Sequence, residues 1–263
     1  MESNMSNIDK YPDLICNVKD YIAVVEIDRA PHNFFDLSLI TQIANIYNQL
    51  EAMEKCRVII LASKGKSFCA GADFNNAGRK NAKKESGTNP IYAEALRLFA
   101  CSKPSIVVVQ GAAIGGGLGL ALTADFRIGC PESRFSANFS RLGFHPGFAL
   151  SYTLPTLIGH QKASELFFTG RRINGTEAFE YGLLDRLVKS DDLMDNAKSL
   201  ATEIALSSPT AVVSIRKTLR KGLTEKLEAA VIKESQEQFV QMQSDDFKEG
   251  VAAMTERRHP SFK

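Results

Sequence analysis

Five short runs rich in β-branched residues dictate what this chain can fold into: LICNV, YIAVVEID, RVIILAS, SIVVVQG and ADFRIGC. Each has the length of a β-strand, and the first two are joined by the tight connection Lys19–Asp20. Among them lie SLITQIANIYNQLEAME and IYAEALRLFA, whose apolar residues recur at spacings of three and four, the period of an amphipathic helix. The first of these opens on Ser38, which reads as its cap. Strands that alternate with helices favour an α/β layered fold built from βαβ units.

From about Thr156 onward the strand signal nearly vanishes. GLLDRLVK is one late strand candidate among amphipathic helices that run to the end of the chain. The expected organisation is an α/β core over residues 1–205 and a helical C-terminal segment over residues 206–263. The stretch NNAGRKNAKKESGTNP is polar, basic and glycine-containing, and reads as an exposed mobile loop.

With 44% hydrophobic residues, the 263-residue chain carries enough apolar material for one large core. Its 32 basic and 30 acidic residues leave a net charge of +2, too little for an overall field that attracts nucleic acid or an anionic membrane. No segment approaches ~18 uninterrupted apolar residues, and the start MESNMSNIDKYPD is polar, so the cytoplasm is the expected location. Cys16, Cys56, Cys69, Cys101 and Cys130 are far apart, with no CxxC and no nearby histidine pair. They read as reduced packing residues, and no metal site is expected.

Two glycine-bearing turns share one design. VIILASKGKSFCAGADF and IVVVQGAAIGGGLGLAL each run from an apolar strand through glycine into a helix start. Such turns aim free backbone N–H groups outward, where they can hold a phosphate or an oxygen that is gaining negative charge. The same glycines could instead serve only the close packing of strand against helix. Nucleotide fingerprints do not fit: no complete GxxxxGK[ST] loop is present, and Leu122 stands where GxGxxG needs glycine. There is also no GxSxG elbow and no HExxH.

SFCAGADF, QGAAIGGGLGLAL followed by ADFRI, RFSANFSRLGFHPGFALSYTLPTLIG and EAFEYGLLDRLV, in that order, resemble the enoyl-CoA hydratase/isomerase, or crotonase, superfamily. DDFKEGVAAMTERRHPSF resembles its C-terminal helix, and RAPHNFFDLSLI sits where its early Asn-containing turn lies. The resemblance implies a spiral of ββα turns, a helical C-terminal segment that mediates assembly into trimers or hexamers, and acyl-CoA thioesters as substrates. Coenzyme A then arrives as part of the substrate, and no separate cofactor is implied. The thioester oxygen is expected between the amides of Ala72 and Gly116, with Gly115 and Gly117 letting it approach the chain. Ala70, Asp73 and Phe74 would border the pantetheine channel, and Lys64 and Lys66 would meet the coenzyme A phosphates. Lys217, Arg220 and Lys221 read instead as a solvated helix face.

The resemblance also exposes two departures. Hydratases of this family carry one glutamate just after the GGG run and another in an FxxPE pattern; this chain has Gly119 and Phe139 there. Pro131 and Glu132 spell PE, but they precede Phe135 and read as a solvated turn. Branches that relocate the acid place it near Gly147. The titratable group left in the segment is His145, whose ordinary pKa suits proton transfer and which is the remaining acid/base candidate; His32, His160 and His259 have less support. Pro146 and Gly147 are assigned to the pocket beside it. Asn138 and Ser140 could position water or a polar group, and Phe139 would wall an apolar acyl pocket. Three readings stay open: a hydratase/isomerase-type enzyme; another reaction through the same enolate, such as isomerisation, decarboxylation or thioester hydrolysis; and a non-catalytic acyl-CoA-binding protein.

Overall fold

The computed structural model describes residues 11–72 and 88–263. Asp73, Phe74 and nearly all of the NNAGRKNAKKESGTNP stretch lie outside the described residues. In chain order the strands are β1 (Leu14–Lys19), β2 (Ile22–Ile27), β3 (Val58–Ser63), β4 (Ser105–Val109), β5 (Ala112–Ile114), β6 (Phe126–Gly129), β7 (Arg134–Ser136), β8 (Arg172–Asn174) and β9 (Arg186–Leu187). The helices are α1 (Leu37–Ala52), α2 (Pro90–Ala100), α3 (Gly116–Ala121), α4 (Leu150–Ile158), α5 (His160–Thr169), α6 (Gly175–Glu180), α7 (Leu193–Ala205), α8 (Pro209–Leu219), α9 (Leu223–Gln241) and α10 (Asp245–Thr255).

The larger sheet has the order β1-β2-β3-β4-β6-β9, antiparallel between β1 and β2 and parallel thereafter. Strands β3 and β4 are buried on both faces, which is why they read as unbroken apolar runs. Ile59, Leu61, Val107 and Val109 face the main core under α1, whereas Val58, Ile60, Ile106 and Val108 face Leu193, Ala197 and Ala201 of α7. All five cysteines are buried and free, as packing residues should be.

After each central strand the chain steps into a second, smaller layer. There β5 pairs with β7, and β7 with β8. Single parallel bridges, Cys69 to Ala113 and Phe35 to Ala72, extend that layer to the turns that follow β3 and β2. This is the ββα spiral expected from the resemblance. The sequence reading missed β5, β7 and β8, because three residues are too few for a period-two pattern. It also misplaced a cap: Asp36, not Ser38, accepts from Leu39 N, at 2.9 Å.

The C-terminal helices are bonded into the core. Arg216 of α8 and Arg220, which caps its C-terminus, both pair with Asp125, and they also donate to the carbonyls of Cys101 and Phe99. Arg220 is therefore an anchor and not part of a solvated face, because the carbonyls at the end of α2 need donors. Leu227 and Val231 of α9 are 1% exposed. Beside them runs a polar edge that grips residues 145–151: Gln241 Oε1 accepts from His145 N at 2.6 Å, and Gln238 Nε2 donates to His145 O at 2.8 Å. Glu234, fully buried, accepts from Ala149 N, Ser151 N and Ser151 Oγ at 2.8, 2.9 and 2.6 Å.

Glu234 thus caps α4 from outside, where Ala149 cannot do so. It also holds two non-glycine residues, Phe148 and Ala149, in the left-handed region at φ 64° and 58°. Burial raises its carboxyl to about 7, against the opposing pull of the three hydrogen bonds. A folded-state value above the unfolded one means that the folded protein holds a proton the unfolded chain has lost. Its contribution to stability is therefore full below about 4.5 and falls as pH rises through about 7. Denaturant unfolding of the wild type and Glu234→Gln at pH 5 and pH 8 checks this: the wild type should lose stability relative to the variant at the higher pH. A constant difference would contradict it.

Candidate functional site

The two glycine-bearing turns meet. Cys69 pairs with Ala113, and three residues further along each chain stand Ala72 and Gly116. Cys69 N donates to Ala112 O at 2.8 Å and Ile114 N donates to Cys69 O at 3.1 Å, so the segments run side by side into the turn. The closeness demands glycine. A Cβ at Gly117 would lie 2.2 Å from Cys69 O, and one at Gly71, where φ is +94°, would lie 2.9 Å from Ile114 O. Close packing is thus a real role of these glycines, and it accompanies the presentation of amides.

Gly115 caps α3 at φ 55° with its own N–H given to Ser136 O. Gly116 is the first residue of the helix, where an N–H has no intrahelical partner. Neither Gly116 N nor Ala72 N donates to an acceptor among the described residues. Phe35 links the two: its backbone bridges to Ala72, and its ring stands 2.2 Å from where a Cβ at Gly116 would be. Two uncommitted donors therefore lie on neighbouring segments, beside one aromatic ring.

Aromatic rings pack beside this pair. The space a side chain at Gly119 would enter is taken by Phe148, whose Cβ lies 2.6 Å from the position of a Cβ there. Phe148 packs edge-on against Phe35 at 5.9 Å and against Tyr92 at 6.4 Å. At Gly147 a Cβ would lie 1.8 Å from the Tyr92 hydroxyl. Asn138 Oδ1 and the Phe139 ring edge flank Gly115, within 3.5 and 3.8 Å of a Cβ position there, and Phe139 packs against Phe144.

The Nδ1 of His145 faces Pro146 O at 2.8 Å, and its backbone is held by α9. Pro146 is half-buried beside it. His32, His160 and His259 are exposed, as is Glu132 in its turn.

The basic loop after β3 is held from beneath. Asn33, fully buried, donates through Nδ2 to Lys64 O at 2.8 Å and Ser67 O at 2.7 Å and accepts from Arg29 N. Lys66 is exposed, Lys64 pairs with Asp28 at 3.4 Å, and Ala70 N donates to His32 O at 3.0 Å. The sequence reading marked the Asn-containing turn but gave Asn33 no role, and it passed over Tyr92, Glu234 and Gln238. Asn33 stands in that turn at φ 50°. The other three act across distances in sequence that no local pattern reports.

Comparison with known proteins fits this geometry. Residues 17–263 match the family described as enoyl-CoA hydratase/isomerase. The chain is 31% identical over 249 residues to a Bacillus subtilis protein named probable enoyl-CoA hydratase, covering 94% of this chain and 96% of that one. It is 28% identical over 258 residues to the 1,2-epoxyphenylacetyl-CoA isomerase of Escherichia coli, covering 95% and 97%. An enoyl-CoA hydratase/isomerase crystal structure from Pseudoalteromonas atlantica superposes with a TM-score of 0.86 at 28% identity, covering 95% of this chain and all of the other. The chain belongs to the enoyl-CoA hydratase/isomerase family.

Proposed function

We propose that this enzyme processes acyl-CoA thioesters by holding the thioester oxygen between Ala72 N and Gly116 N while negative charge develops on it. The observation that carries the reading is the pair of uncommitted amides on adjoining segments. Donors fixed by a turn and a helix start need no reorganisation when an enolate forms, so they stabilise it more than mobile side chains would. Gly115 and Gly117 leave the approach free of side chains, and the exposed Lys66 beside Ala70 is available to the phosphates. Coenzyme A enters as part of the substrate.

The aromatic wall favours one class of reaction over another. Water addition needs a base for the water and an acid for the α-carbon. At Gly119, Phe139 and Gly147 this chain offers the Phe148 ring, the Phe139 ring and a tyrosine hydroxyl. Reactions that pass through the same enolate without activating water, such as double-bond isomerisation or decarboxylation, fit better than plain hydration. Loss of absorbance of crotonyl-CoA should accordingly proceed ~10²–10⁴-fold more slowly than with hydratases that carry both glutamates. Hydration at their rate would contradict this, while turnover of a 3-enoyl or malonyl-type thioester would support the alternative.

The amide pair is tested by removing one donor. A side chain at 116 would strike Phe35, so Gly116→Pro is best made in a Phe35→Ala background, with Phe35→Ala alone as control. Proline suits the first residue of a helix and deletes only the N–H. Turnover should fall ~10²–10³-fold relative to the control. A folded double variant as active as the control would remove Gly116 from the mechanism.

Assembly and location belong to the same proposal. Leu206 is 82%, Leu219 81%, Val240 67% and Ile215 59% exposed, an apolar surface on the C-terminal helices that a trimer or hexamer would cover. Among the described residues no helix is long and apolar enough to cross a membrane, and a cytoplasmic location fits. Light scattering at micromolar concentration should give three or six copies; a clean monomer would contradict the assignment.

A further inference from the structure

Between the second half of α2 and the junction of α8 with α9 lies a cavity of about 350 Å³, a size that suits a small ligand. None of its lining residues belongs to the site around Ala72 and Gly116. Phe99 of α2 and Leu223 and Leu227 of α9 give it apolar walls, while Arg216, Lys217 and Arg220, all from α8 and its cap, give it three cations. Among the described residues that line it there is no carboxylate. Asp125, the one acid that pairs with both arginines, is fully used: it accepts from Ser105 N at 2.9 Å, Arg216 Nε at 2.8 Å and Arg220 Nη2 at 2.6 Å. Each arginine gives a further N–H to a carbonyl, of Cys101 and Phe99 respectively. Arg216 Nη2 and Arg220 Nε then donate to nothing among the described residues. Arg216 is only 9% exposed, and a buried cation with unspent donors is costly. Burial lowers the Arg220 guanidinium from its usual value; Asp125 opposes the shift and the Arg216 charge adds to it.

We propose that this cavity is a second ligand site, which takes a medium-chain carboxylate with its head on the unspent edges of Arg216 and Arg220 and its tail against Phe99, Leu223 and Leu227. Planar guanidinium groups match a carboxylate in shape as well as in charge, and the added anion supplies the partner that Asp125 cannot give twice. The exposed Lys217 adds attraction at the rim. An amide or a thioester brings no charge, so the site reads the free acid. The proposal stands whichever reaction the Ala72 and Gly116 amides serve.

The test titrates octanoate calorimetrically into the full chain at neutral pH, beside octanamide, its uncharged counterpart, and acetate, the head without the tail. Octanoate should bind ~10–100-fold more tightly than octanamide, the worth of hydrogen bonds to a charged group, and at least ~10-fold more tightly than acetate. Two substitutions at exposed lining positions leave the arginine anchors in place: Lys217→Glu reverses the charge at the rim, and Thr224→Trp puts a ring into the cavity. Each should weaken octanoate binding ~10-fold or more. Excess butyryl-CoA should not displace octanoate. No binding of octanoate, as when a second copy closes the cavity in the assembled protein, overturns the proposal. So does octanamide or acetate binding as well as octanoate, or an octanoate affinity that either substitution leaves unchanged. Displacement by butyryl-CoA would place the acid in the acyl-CoA site and overturn it too.

Discussion

The close passage of two backbones governs this structure. Residues 69–72 and 112–117 approach so nearly that Gly117 and Gly71 have no room for a Cβ, each being stopped by a carbonyl of the other segment. Everything at the site follows from that contact. It sets Ala72 beside Gly116, leaves both amides without partners among the described residues, and tucks the Phe35 ring beneath them. The parallel strands β3 and β4 deliver the two segments from neighbouring positions in the large sheet, so the alignment of the amides is a consequence of strand register and not of side-chain placement.

A second constraint comes from the far end of the chain. The polar edge of α9 meets residues 145–151 through Glu234, Gln238 and Gln241, and these contacts hold Phe148 and Ala149 in a conformation that non-glycine residues seldom adopt. Phe148 then fills the space beside Gly119. The space beside Gly119 and Gly147 is thus not empty: Phe148 and Tyr92 occupy it. An acid at either position would require different residues at 92 and 148, so the glycines and the rings beside them form one arrangement.

Much of this was legible in the sequence, and the reasons are physical. The long apolar runs became β2, β3 and β4, and the three-four spacing became α1 and α2, because burial on one or both faces imposes those periods. The glycine turns were legible as a pair, and the register between Cys69 and Ala113 brought them together. Strands of three residues were not legible, since so short a run has no period. Nor was the role of Arg220, which local charge patterning assigned to solvent and which the distant Asp125 draws inward. Tyr92, Glu234 and Gln238 were missed for the same reason: their partners are far away in sequence, and nothing local marks a buried polar residue.

The central claim is that backbone amides, positioned by register, receive the thioester oxygen. A crystal structure with bound butyryl-CoA measures it most directly. The account requires the thioester oxygen to lie about 2.7–3.1 Å from both Ala72 N and Gly116 N. A thioester bound with its oxygen turned away from either amide, or seated on side chains elsewhere in the fold, would contradict it.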